Sequence, residues 1–173
     1  MPDSAKPYIE RIEKFAKDKG RRIELILVGG LALSYYGLPR ATLDIDAEIK
    51  CDEPTYSELL EYLKRERIPA NISDNISGWG IIPLAKNYRQ RAKIIYRSKN
   101  LILKVLEPAD FVLSKLLRGT EEDFRDALGV IKKFQISQLK LKKRIRLIFF
   151  PKDPETLFFK KKLAHLLDLL RGR

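Results

Sequence analysis

The sequence predicts an α/β (α+β) chain: a small mixed sheet flanked by helices, with a helical C-terminal part. Three observations predict it. Short apolar runs of strand length alternate with segments of helical periodicity up to about Leu106. Two apolar runs, Ala92 to Tyr96 and Leu101 to Leu106, flank the polar triplet Ser98-Lys99-Asn100 and read as a β-hairpin. After Pro108 the spacing is helical throughout.

Taken in order, Pro7 to Lys19 carries Ile9, Ile12, Phe15 and Ala16 on one stripe and reads as an amphipathic helix stopped by Gly20. Ile23 to Val28 is an apolar strand. Gly29-Gly30 interrupts it, and Leu31 to Tyr36 fits a short helix ending at Gly37. Leu43 to Ile49 is the second strand. Pro54 lies near the start of a helix that carries Leu59, Leu60 and Leu63 and runs to about Arg67. The stretch from Ile68 to Arg91 has little periodicity beyond a short strand at Asn71 to Ile76 and a Gly78-Trp79-Gly80 turn. Beyond the hairpin, Pro108 opens a helix closed by Gly119. Thr120-Glu121-Glu122-Asp123 has the form of a capping box, with Asp in the place of Glu or Gln. Its helix runs to about Phe134, and two more follow, Ser137 to Phe149 and Pro154 to Leu170. Either a boundary near Lys133 to Ser137 divides residues 1–134, a catalytic domain, from a helical extension, 135–173, packed on it, or the whole chain is one single domain.

Composition narrows the function. A single cysteine excludes an internal disulfide and a cysteine-built zinc site. No apolar run approaches the 18 or so residues of a membrane span, and Met1-Pro2-Asp3-Ser4 has no basic-then-apolar leader; a cytoplasmic setting is expected. The net charge of +12 attracts polyanions, nucleic acid first among them. A surface rich in Lys and Glu and poor in Gln also fits a thermophile.

The chemistry-bearing pattern is Val28-Gly29-Gly30 followed by Asp44-Ile45-Asp46. Alternation along a strand sends Asp44 and Asp46 to one face and Leu43, Ile45 and Ala47 to the other. Two carboxylates side by side repel unless a cation lies between them, and hard oxygen donors suit Mg²⁺. Glycines lack Cβ atoms, so a triphosphate can approach the backbone closely, and the start of the helix after them offers N–H groups to it. Arg40 and Thr42, in the loop entering the acidic strand, are candidates to bond its oxygens.

The residues Val28-Gly29-Gly30, Arg40-Ala41-Thr42 and Asp44-Ile45-Asp46 resemble the signature of the DNA polymerase β nucleotidyltransferase superfamily. The string VGGLALSYYGLPRATLDID is similar to the small AbiEii-toxin-like branch. The resemblance implies the nucleotidyltransferase fold and a Mg²⁺-dependent transfer of NMP from an NTP. Asp44 and Asp46 would be catalytic metal ligands, and Gly29 and Gly30 would hold the triphosphate. The acceptor would be RNA, tRNA in particular, or a protein hydroxyl, and a toxin role would imply an antitoxin protein as partner. That branch also has a helix lysine followed by Asp-x-x-Asp, which resembles Lys115, Asp123 and Asp126. By this resemblance Lys115 would contact phosphate, with Asp123 or Asp126 orienting it or the acceptor. Arg118 shares a helix face with Lys115 and joins the nucleotide-binding candidates. One departure stands out. Superfamily members carry a third carboxylate on a neighbouring strand, whereas Ala92 to Tyr96 and Leu101 to Leu106 contain no acid. Glu48 lies about 13 Å from Asp44 at strand rise. Asp74 remains a candidate. The alternative class is a catalytically inactive module of the same fold.

Two further clusters have plainer readings. Tyr88-Arg89-Gln90-Arg91 with Lys93 suits a solvated loop as well as a nucleic-acid contact. Lys140, Lys142, Lys143, Arg144 and Arg146 suit a phosphate-tracking run as well as a core helix with snorkelling lysines. His165, the only histidine, reads as a packed or surface residue.

Overall fold

The computed structural model describes residues 6–39 and 44–171. They form two compact units: residues 1–76 with 92–106, and residues 77–91 with 107–173. The boundary expected near Lys133 to Ser137 therefore falls inside the second unit.

The first unit is a mixed α/β structure around a five-stranded sheet in the order β3-β2-β1-β5-β4. Helix α1 (Lys6–Asp18) leads into β1 (Ile23–Leu27), then α2 (Gly29–Tyr35), β2 (Ile45–Lys50), α3 (Glu53–Arg65) and β3 (Ala70–Ser73). The hairpin of β4 (Lys93–Arg97) and β5 (Leu101–Val105) completes it. β1 is central because its run Ile-Glu-Leu-Ile-Leu is apolar almost throughout, as a strand paired on both edges requires. It pairs with β2 antiparallel and with β5 parallel. β3 adds parallel to the free edge of β2, and β4 pairs antiparallel with β5. One sheet face is lined by Ile23, Leu25, Leu27, Ile45, Ala47, Ile49, Leu101, Leu103 and Val105, all buried. The opposite face carries Glu24, Asp46, Glu48, Lys50 and Lys104. The period of two places every acidic residue of β1 and β2 there.

Helices α1 and α3 pack together through Phe15 and Tyr62, with ring centroids 5.0 Å apart, and through the Arg11–Glu66 ion pair. The Asp52 side chain caps α3 by accepting from the Thr55 N–H at 2.9 Å, and Pro lies in its first turn. In the hairpin turn, Ser98 Oγ accepts from the Asn100 and Leu101 N–H groups.

A 3₁₀ turn at Ile76–Trp79 spans the start of the second unit, and a short helix, α4 (Tyr88–Arg91), follows, which the sequence pattern did not predict. Helices α5 (Pro108–Arg118), α6 (Glu121–Phe134), α7 (Gln138–Ile145) and α8 (Pro154–Arg171) follow. Gly119 ends α5 in the left-handed region at φ 68°. The capping box expected at Thr120 is present, with Asp123 returning its carboxylate to the Thr120 N–H at 3.1 Å. Helix α7 ends at Ile145, four residues short of the expected Phe149. Leu147 and Ile148 close tight turns onto Arg144 and Ile145, so the chain leaves the helix before Pro151. Asp110 on α5 is buried between Arg91, which bonds it through Nε and Nη2 at 2.8 and 2.9 Å, and Arg144 at 2.5 Å. This pairing accounts for Arg91 of the loop cluster and Arg144 of the basic run. Helices α4 and α7 are thereby tied to α5.

Candidate active site

Gly29 is the first residue of α2 and adopts φ +59°, a conformation that side chains other than glycine rarely take. The bend turns its Cα toward β2, where the Val28 N–H bonds the Asp46 carbonyl at 2.9 Å. The approach is so close that a Cβ on Gly29 would lie 2.1 Å from Asp46 Oδ2 and 3.0 Å from Asp46 Cβ and Cγ. Only a glycine fits this position without displacing the carboxylate. The glycine bend and the second aspartate are therefore one local constellation, with the Asp46 side chain half-buried against it. Tyr36 secures the far end of α2 by donating from its hydroxyl to the Leu106 carbonyl at 2.5 Å. The neighbouring Tyr35 hydroxyl is buried without a partner among the described residues, and burial pushes its pKa up to about 12.

Asp44 is exposed and lies one residue before β2 begins. The other candidates in its loop, Arg40 and Thr42, lie outside the described residues. Glu48 continues the Asp46 face but is buried, and its Oε2 accepts from the Ile76 N–H at 3.1 Å.

The strands beside β2 differ from those expected. The hairpin does not border it: β2 turns back on β1, β1 uses its other edge for β5, and the neighbours of β2 are β1 and β3. The register places Asn71 of β3 directly beside Asp46, on the same face. Sequence reasoning missed Asn71. A four-residue strand in an aperiodic stretch gives no register, and only the parallel pairing with β2 reveals it. Asp74 is three residues further along, about 10 Å at strand rise, exposed and accepting from Ser73 Oγ at 3.4 Å. Among the described residues no three His, Cys, Asp or Glu side chains come together to hold a metal. Asp44 and Asp46 offer two hard oxygen donors, which fits Mg²⁺: this ion is commonly held by one or two carboxylates and completes its shell with water and substrate phosphates.

In the second unit Lys115, Arg118, Asp123 and Asp126 do form one cluster. The buried Lys115 Nζ lies 3.2 Å from Asp123 Oδ1 and 2.7 Å from Asp126 Oδ2. Arg118 clasps the other side of Asp123 through Nε and Nη2, both at 2.7 Å. Burial alone would raise the Asp123 pKa, but hydrogen bonds from Arg118 and Thr120 and the Lys115 charge outweigh it and hold the carboxyl far below its ordinary range. The Asp123 partner likewise raises the Arg118 pKa. Within their own unit these residues lock α5 to α6. His165 is exposed and meets the Phe124 ring edge-on, with centroids 5.3 Å apart.

A cleft of about 380 Å³ on α1 and α3 is lined by Lys14, Phe15, Lys19, Glu58 and Tyr62 among others. Lys19 and Glu58 pair across it at 2.6 Å. It contains none of the glycine–aspartate elements, and we assign it no chemistry.

Comparison with known proteins agrees with the fold. The family described as "Nucleotidyltransferase of unknown function (DUF6036)" matches residues 8–153. Among solved structures, the crystal structure of an antigenic nucleotidyltransferase-like protein from Paracoccidioides brasiliensis superposes with a TM-score of 0.56 at 15% identity, covering 96% of this chain and 88% of the other. No curated protein sequence matches the chain. Among the described residues no helix is long and apolar enough to cross a membrane.

Proposed function

This chain belongs to the nucleotidyltransferase family of unknown function that matches residues 8–153, and from that premise we propose that it transfers NMP from an NTP, using Mg²⁺ held by Asp44 and Asp46. The observation that carries the reading is the contact of the Gly29 backbone with the Asp46 carboxylate. With no Cβ on Gly29 the bend packs directly against a half-buried acid, so its backbone and a cation ligand lie side by side, the pairing that a metal-bound phosphate chain needs.

When bound, Mg²⁺ would neutralise charge on the triphosphate and polarise the α-phosphorus. Asp46 and Asp44 would fix where that charge is neutralised, and the glycine bend would keep side chains out of the phosphate path. An acceptor hydroxyl bonds to the α-phosphorus and gives up its proton to water, as the bond from that phosphorus to pyrophosphate breaks. Catalysis of this kind is mostly positioning and charge compensation. The basic balance of the chain favours RNA, tRNA included, over a protein as acceptor. A toxin role with a partner antitoxin rests on the sequence resemblance alone.

A second reading has its own support. Among the described residues no third acid joins Asp44 and Asp46, and two carboxylates are fewer than a two-metal centre uses, which favours a module that binds nucleotide without turnover. Calorimetry with Mg²⁺ and each NTP, comparing the wild type with Asp44→Ala/Asp46→Ala, tests the shared premise. Metal-dependent binding lost in the double variant supports it, and unchanged binding or none refutes it. Labelled NTP incubated with cellular RNA and protein then separates the two readings: label in a fraction means transfer, and no label with intact binding means a module.

A further inference from the structure

The positive charge of the chain is not spread evenly. The second unit holds 19 of the 35 Lys and Arg but only 9 of the 23 Asp and Glu, which places +10 of the net +12 there. Between Asp126 and Asp153 there are eight Lys or Arg and no acid. Cations of both units are partly paired with carboxylates, among them Lys19 and Lys104 in the first and Lys140 and Arg144 in the second. Lys142, Lys143, Arg146 and Lys152 are exposed and have no such partner among the described residues.

These unpaired cations gather at one end of the second unit. Gln138 at the start of α7 bonds the Leu167 carbonyl near the end of α8, at 3.0 Å. The chain therefore closes on itself between these two points, and the end of α7, the connection and the start of α8 form the far part of that loop. Exposed aromatic rings lie in the same place: Phe149 is 68% and Phe158 54% exposed. Lys161 stands over the Phe158 ring at 6.0 Å and Lys160 over Phe150 at 5.3 Å. Unpaired cations interleaved with exposed aromatic rings match a strand of phosphates carrying stackable bases. An anionic membrane is a poorer match. An interfacial helix needs a continuous apolar face, whereas the exposed apolar residues here are short spots broken by charge, Leu147 beside Arg146 and Phe158 two residues before Lys160.

We infer that the turn joining α7 to α8, with its flanking helix ends, binds single-stranded nucleic acid through Lys142, Lys143 and Arg146 to phosphates and Phe149 and Phe158 to bases. This surface needs neither metal nor NTP, so it stands or falls apart from the transfer chemistry of the first unit.

The test uses the full chain and fluorescein-labelled U20 and dT20, with anisotropy read from 50 to 300 mM NaCl without Mg²⁺. Nothing on this surface reads the sugar, so both strands should bind. Lys142→Gln/Lys143→Gln/Arg146→Gln should weaken binding at least tenfold at 0.1 M salt. It should also lower the slope of log K against log salt by about 2, the loss expected for three single-strand phosphate contacts. Phe149→Ala/Phe158→Ala should weaken binding about tenfold with the slope unchanged. Asp46→Asn should bind both strands like the wild type, which separates this surface from the nucleotide site. All these side chains are exposed, and circular dichroism confirms that each variant folds. Binding unaffected by either set of substitutions overturns the inference. So does wild-type binding to phosphatidylserine vesicles with none to either oligonucleotide.

Discussion

Gly29 and Gly20 both adopt positive φ, +59° and +62°, yet a Cβ meets very different surroundings at each. At Gly20 nothing lies within 4 Å, so Gly20→Ala costs only the backbone strain of a left-handed residue, about 1 kcal/mol. At Gly29 the same strain is joined by a clash with the Asp46 carboxylate. Gly29→Ala should therefore abolish Mg²⁺-dependent NTP binding, while Gly20→Ala lowers the melting temperature by a few degrees and leaves calorimetric binding intact. Equal binding in both variants would remove the glycine bend from the site. A second residue-scale prediction concerns Asn71 beside Asp46. Asn71→Asp puts two carboxylates opposite each other on neighbouring strands, which costs about 0.5–1 kcal/mol without metal. If Asp46 is a cation ligand, the added charge should tighten Mg²⁺ binding. Melting in EDTA should then show destabilisation, and millimolar Mg²⁺ should raise the variant's melting temperature more than the wild type's. A Mg²⁺ response no larger than the wild type's counts against Asp46 as a ligand.

The elements were legible in the sequence where periodicity and capping act locally. β1, the β4–β5 hairpin and the Thr120 capping box follow from side-chain pattern and turn chemistry alone. For Lys115, Arg118, Asp123 and Asp126 the i,i+3 spacing shows only which side chains share a face of each helix, and their meeting is set by the packing of α5 on α6. What stayed hidden depends on partners distant in sequence. The neighbours of β2, and with them Asn71, are set by strand order. Arg91 reads as one more basic loop residue until α5 supplies the buried Asp110. The helix pair α5–α6 yields a prediction of its own. Lys115→Met strips a buried ammonium from Asp123 and Asp126 and should cost about 3 kcal/mol in denaturant unfolding. Asp123 has a folded pKa below its ordinary 3.8, so its contribution is complete above about pH 4 and fades as pH falls through the folded value. Asp123→Asn should be destabilised at pH 7 and should lose less stability than the wild type between pH 4 and pH 2. Parallel acid limbs for the two proteins would assign the acid sensitivity to other carboxylates, of which Glu107, also held low, is the first to try.

At the scale of the whole molecule, charge is divided unevenly between two units of similar chain length. The second unit leaves several of its cations to repel one another across α7 and its exit. Lys142 and Arg146 stand four residues apart, as do Lys140 and Arg144, and like charges at this spacing oppose helix formation by a few tenths of a kcal/mol per pair. Glu107 relieves Lys140 and Arg144, at 2.5 and 3.0 Å, but no carboxylate of the described residues reaches Lys142 or Arg146. A fold under no demand from a partner gains nothing from keeping them. Lys142→Gln/Lys143→Gln/Arg146→Gln should accordingly be more stable than the wild type, by about 0.5 kcal/mol at 20 mM salt. That advantage should vanish near 0.5 M, where screening shortens the Debye length to a few ångströms. Thermal melts at the two salt concentrations measure it. A triple variant less stable than the wild type at low salt would mean that these cations serve the fold, and the argument that they are held in reserve for a polyanion would lose its thermodynamic footing.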